Sequence, residues 1–286
     1  LDLSQINFNG NTLTLQCKQL NKIVGSETFN GSLFLLPKDC RLTEFTLEGI
    51  SNIQGDFQCK DYSYVKEFVM PFIRVAGDMT IALNSGSVNT AAEIEFPKLQ
   101  EIGGTLTLGT NRNANNITFP LLKKILGSCS VTTYKLKNDI EFTNLESIGT
   151  DGADEQIKFE IEATNILCPK LKTINGKFDI ATSSFMFGME VDKVSYPNVE
   201  SISENLSITC PYSDFGSNGI LSIDFSGLKS AKGISISGQG DVTDFSSFKY
   251  LFENNVLTGE SQWSVKECGY NPTFQEMKDG KYKLAE

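Results

Sequence analysis

Phe96-Pro97-Lys98-Leu99-Gln100-Glu101-Ile102-Gly103 is answered one short coil later by Phe119-Pro120-Leu121-Leu122-Lys123-Lys124-Ile125. The shared pattern is aromatic-Pro-x-Leu-x-x-Ile-x-Gly. It returns as Phe142-Thr143-Asn144-Leu145-Glu146-Ser147-Ile148, Cys168-Pro169-Lys170-Leu171-Lys172-Thr173-Ile174, Tyr196-Pro197-Asn198-Val199-Glu200-Ser201-Ile202 and Phe225-Ser226-Gly227-Leu228-Lys229-Ser230-Ala231. Weaker copies start at Cys17, Leu47 and Val69. Self-similarity at this period marks a solenoid, in which each unit buries its apolar face only against its neighbours.

After each copy comes a short alternating stretch, such as Thr105-Leu106-Thr107-Leu108, Lys177-Phe178-Asp179-Ile180 and Gly233-Ile234-Ser235-Ile236. Alternation means a half-buried strand, because successive side chains face opposite sides. One such strand is unstable alone; stacked once per rung, the strands make a parallel sheet over a shared interior. The expected fold is therefore all-β, a parallel β-solenoid of about nine to ten short rungs with a cap at each end. Residues 1–46 read as the N-terminal cap and first rung, 47–244 as the repeats, and 245–286 as the C-terminal cap and tail of one continuous domain.

The same alternation predicts which side chains face out. The expected inward ladder runs Phe57, Met79, Leu106, Cys129, Phe159, Phe178, Leu206, Ile234. The expected outward ladder is Gln58, Thr80, Thr107, Ser130, Glu160, Asp179, Ser207, Ser235, with no aromatic residue. Thr80 to Ser235 form the candidate binding surface. The leucine and isoleucine of each motif are expected to point inward, the proline to limit backbone bonding at a corner, and the glycine to permit a turn. The segment 181–194 reads as the largest loop insertion, and its Phe185 and Phe187 are candidate contacts.

Composition narrows the chemistry. A net charge of −10 lacks the basic footprint of nucleic-acid binding. No histidine is present, which removes Ser-His-Asp and Cys-His catalysis and the commonest zinc ligand. The seven cysteines include no CxxC pair. A Cys17–Cys40 bridge is a candidate staple for the first rung, although spacing does not fix connectivity. Asn30, Asn116 and Asn205 head N-glycosylation sequons, which together with the cysteines point to a secreted protein. No catalytic residue, metal site or cofactor is expected. The enzymatic alternative is paired-carboxylate chemistry at Glu160 and Asp179, with Glu162 close by.

Taken together, the motif copies and alternating strands across roughly residues 15–255 resemble the receptor L-domain type of solenoid. More closely, they resemble fungal GPI-anchored cell-wall organisation proteins and their sporulation-specific relatives. Gly269-Tyr270-Asn271-Pro272 and Gly280-Lys281-Tyr282 share that likeness. The resemblance implies a secreted cell-surface glycoprotein, held to the membrane only through a C-terminal lipid anchor, that supports cell-wall or spore-wall assembly. It carries over no catalytic residues. The expected partner is a wall polysaccharide or another surface protein. The alternatives are a recognition ectodomain for a protein ligand and, less favoured, a polysaccharide-active enzyme.

Overall fold

The computed structural model describes residues 1–286 apart from 37–43, 61–66, 85–91, 112–113, 135–137, 162–164, 183–192, 211–221, 241 and 286. The chain is a parallel β-solenoid. Among the described residues its largest sheet has eleven strands in strict chain order, from Thr12–Leu15 to Trp263–Cys268. A second sheet of five strands runs from Glu67–Val69 to Ile166–Leu167, and a third of eight two-residue strands runs from Thr28–Phe29 to Ser201–Ile202. Among the described residues the last coil with three strands is Gly176–Thr182, Lys193–Ser195 and Ser201–Ile202. The regular array is thus shorter than nine to ten rungs, while the long sheet continues past it.

The repeated motif forms the corner between the second and third sheets. Phe96 follows the strand Ala92–Glu95, and the N–H of Leu99 donates to its carbonyl at 3.3 Å. This closes a turn over Pro97-Lys98, where the fixed φ of proline suits the second position. The same bond recurs from Leu171 to Cys168 at 3.1 Å and from Leu228 to Phe225 at 2.9 Å. Leu99 and Ile102 are buried, as are Leu122 with Ile125 and Leu145 with Ile148. Both motif positions point inward, as their spacing predicts.

Stacked corners bring like side chains into columns. The rings of Phe96 and Phe119 lie 4.7 Å apart at 2°, and those of Phe119 and Phe142 lie 4.8 Å apart at 12°. These separations match the spacing of hydrogen-bonded strands, about 4.8 Å. The column then narrows to Cys168, and Tyr196 fills in beyond it, donating its buried hydroxyl to the carbonyl of Ile166 at 3.0 Å. Phe159 on the long sheet supplies volume in the coil that holds Cys168, its ring 6.0 Å from that of Tyr196. Alternating large and small residues in this way keeps the interior filled.

On the solvent side of the same corner the charges alternate through Lys123, Glu146, Lys172, Glu200 and Lys229. Each N–H donates to the carbonyl of the preceding residue in that row, at 2.8 to 3.0 Å. A one-coil slip would set like charges side by side.

The C-terminal end is closed by two short helices, Lys249–Glu253 and Phe274–Lys278. Trp263 is their anchor. It packs edge-on against Phe252 at 5.1 Å and Phe248 at 5.7 Å, and its Nε1–H donates to the carbonyl of Pro272 at 2.8 Å. Thr273 caps the last helix: its hydroxyl accepts from the N–H of Glu276, and its own N–H donates to the Glu276 carboxylate.

Among the described residues no disulfide forms. Cys17 is an exposed free thiol, and Cys40, its candidate partner, lies outside the described residues. Cys129 and Cys168 are buried, and burial pushes both thiols up, away from the reactive thiolate. Iodoacetamide applied to the folded protein is expected to label Cys17 within minutes and to leave Cys129 and Cys168 intact until denaturant is added. Peptide mass spectrometry reads the result. Labelling of Cys129 at the rate of Cys17 would mean that the core opens readily.

Candidate functional site

The long sheet presents one face to the core and one to solvent. Register fixes the solvent rows. Thr80 sits between Gln58 and Thr107, Thr107 between Thr80 and Ser130, and Ser207 between Asp179 and Ser235. These members of the expected surface ladder fall in one row, and the short hydroxyl side chains make the strip low and polar. The row also runs further than its sequence reading, upstream to Phe34, which pairs with Gln58, and downstream to Ser264, which pairs with Ser235. Phe34 is half-buried between the buried Leu33 and Leu35. It gives this face an aromatic residue that the expected ladder lacks.

One member is misplaced. Ser130 pairs with Lys158 and Lys158 with Asp179, whereas Glu160 pairs with Thr132 and Ala181. Glu160 therefore belongs to the neighbouring solvent row, and Ile157 replaces Phe159 between Cys129 and Phe178 in the inward ladder. Phe159 still faces the core, because a shift of two residues preserves the face.

The correction leaves the two carboxylates proposed as a catalytic pair diagonal to one another on adjacent strands rather than directly opposite. Glu160 bonds Lys158 and accepts from the Thr132 hydroxyl at 2.8 Å. The Lys158 ammonium holds its carboxyl below the usual range, with the Thr132 bond adding to the effect. A glycosidase acid needs the opposite displacement. Asp179 pairs with Lys177 at 2.9 Å. Glu162 lies outside the described residues, as do Phe185 and Phe187, the candidate loop contacts. Among the described residues no three His, Cys, Asp or Glu side chains converge on a point that would hold a metal ion, and no helix is long and apolar enough to cross a membrane.

The three sequon asparagines occupy different settings. Asn30 is exposed beside the strand Thr28–Phe29, and Asn205 is exposed at the start of a long-sheet strand. Asn116 is half-buried in the second sheet, where its amide donates to Glu93 at 2.8 Å and accepts from Asn138 at 2.7 Å.

Fold and face together define a parallel β-solenoid that displays one long polar sheet surface. Compared with protein-family models, curated proteins and solved structures, the chain has no significant match.

Proposed function

We propose that this chain is a non-enzymatic, secreted cell-surface glycoprotein that supports wall organisation by holding a wall polysaccharide against its long-sheet face. The observation that carries the reading is the solvent row from Phe34 through Thr80, Thr107 and Ser130 to Ser264. Parallel strands set these hydroxyls about 4.8 Å apart in two stretches, Thr80-Thr107-Ser130 and Ser207-Ser235-Ser264, with Lys158 and Asp179 between them, and a polysaccharide chain is an extended array of hydroxyl partners. Phe34 adds a ring against which an apolar sugar face can stack. Attachment through a C-terminal lipid anchor and glycosylation at Asn30, Asn116 and Asn205 rest on the sequence resemblance and the sequons.

Co-sedimentation with insoluble β-glucan, chitin and mannan tests the reading. Saturable binding to one of them is expected, with a loss of about tenfold or more when Thr80→Arg and Thr107→Arg place long cations on the strip. Failure to sediment with any of the three, or release of soluble sugar from them by the purified protein, would overturn it.

A further inference from the structure

At the C-terminal end of the face the surface dips into a cleft of about 550 Å³. Side-chain length explains the shape. Gly233, Ser207, Ser235 and Ser264 line it as a low floor, while Lys177, Lys232 and Gln262 are the long side chains around it. The three serines are successive partners in one row. Gln262 is held from several directions. Its Oε1 accepts from the N–H groups of Thr258 at 2.7 Å and Gly259 at 3.0 Å, and its Nε2 donates to the carbonyl of Lys232 at 2.9 Å. The volume falls within the range of about 300–1,000 Å³ common to small-molecule sites.

The lining chemistry is specific. Hydroxyls make the floor and two ammonium groups stand beside it. Lys177 pairs with Asp179 and Lys232 with Glu204, with the lysine side chains 42% and 63% exposed. Their carboxylate partners are 28% and 31% exposed; pairs this open to solvent contribute little, so a ligand anion competes with Asp179 and Glu204 for the two lysines. We propose that the cleft binds an acidic saccharide, with the sugar hydroxyls on the serine floor and a carboxylate or sulfate held by Lys177 and Lys232. The inference rests on the glycan-binding reading of the face and adds the class of sugar.

Asn205 also lines the cleft. A glycan attached there would stand in the opening, so the cleft takes a saccharide only in molecules whose Asn205 sequon is unoccupied, and the test uses protein made without N-glycans. Isothermal titration compares a β-1,4-linked glucuronate trisaccharide, cellotriose sulfated at O6, unmodified cellotriose and inorganic sulfate. Saturable binding of at least one acidic trisaccharide is expected, about tenfold tighter than cellotriose and weakening as salt rises. The tighter of the two acidic ligands identifies the anion. Lys177→Gln and Lys232→Gln are each expected to lose about tenfold, while the exposed positions of both lysines leave the fold intact. Equal affinity for charged and neutral trisaccharides, unchanged affinity in both lysine variants, or inorganic sulfate binding as tightly as the sugars would overturn the inference. Sedimentation with insoluble polysaccharide is scored separately. Retained sedimentation with no trisaccharide binding sinks the cleft alone, whereas loss of sedimentation sinks the reading of the whole face.

Discussion

Phe119→Ala is expected to lower the unfolding free energy by about 3–5 kcal/mol, the range for removing a buried aromatic. The ring is fully buried and stacked on both sides, against Phe96 and Phe142. Deleting it opens a void that its neighbours cannot close. The corners above and below are tied through the backbone, Lys123 N–H to the Gln100 carbonyl and Glu146 N–H to the Lys123 carbonyl, both at 2.9 Å. Rungs pinned at strand spacing cannot slide together, so the site relaxes little. A second effect follows from the one-dimensional architecture. Solenoid units are coupled mainly to their nearest neighbours, and a weakened central coil lets the two flanking arrays unfold separately. Urea titration is therefore expected to show a broader transition with a smaller slope as well as a lower midpoint. Leu121→Ala, two residues away and 43% exposed, is the control and is expected to stay within about 0.5 kcal/mol. A loss below about 1 kcal/mol for Phe119→Ala would show that the column collapses around the gap.

The motif announces this column because its aromatic, leucine and isoleucine recur at fixed offsets, and a buried corner tolerates little variation in them. Strand faces were legible for the same reason, since a period of two survives any even slip. The register of Glu155–Ile161 was not legible. Leu106 follows Ile102 by four residues and Phe178 follows Ile174 by four, but Ile157 follows Ile148 by nine. The extra residues form a turn with Gly149 and Gly152 at φ of +84° and +79°. In a seven-residue strand that alternates throughout, Ile157 and Phe159 satisfy the pattern equally. Only the pairing of Cys129 with Ile157 decides between them. Phe34 is hidden in the sequence because Leu33-Phe34-Leu35-Leu36 is a run of apolar residues, and only its partners reveal which of them faces out. The cleft was invisible for a different reason. It depends on Gly233 and Ser264 sharing a neighbourhood with Gln262 and Lys177, residues brought together by stacking rather than by sequence.

Gly104→Ala is expected to destabilise the protein by about 1–3 kcal/mol, the cost of overpacking a site that cannot yield. The motif glycine does more than permit a turn. A Cβ on Gly104 would lie 2.2 Å from Oδ1 of Asp78 and 2.8 Å from the carbonyl carbon of Gly77. Neither atom is free to retreat. Asp78 Oδ1 accepts from the N–H of Thr105 at 2.7 Å, and moving it leaves that donor unpaired. The Gly77 carbonyl accepts from the N–H of Gly104 at 3.0 Å, which sets the distance between the two corners. The crowding is a property of the column: a Cβ on Gly127 would meet the Gly104 carbonyl carbon at 2.7 Å, and one on Gly77 would meet that of Gly55 at 2.9 Å. The coils can approach to hydrogen-bonding distance here because the side chains are absent, which is a packing requirement rather than a conformational one. Gly109, in the long-sheet strand Leu106–Asn111, separates the two explanations, because a Cβ there meets nothing within 4 Å. Gly109→Ala removes the same backbone freedom from the unfolded chain and is expected to stabilise by about 0.4–1 kcal/mol. Thermal or urea unfolding of the two variants gives opposite signs if close approach governs the corner. Equal and small changes in both would show instead that the corner spreads to admit a methyl group, and that the glycine column is not what sets the spacing of the coils.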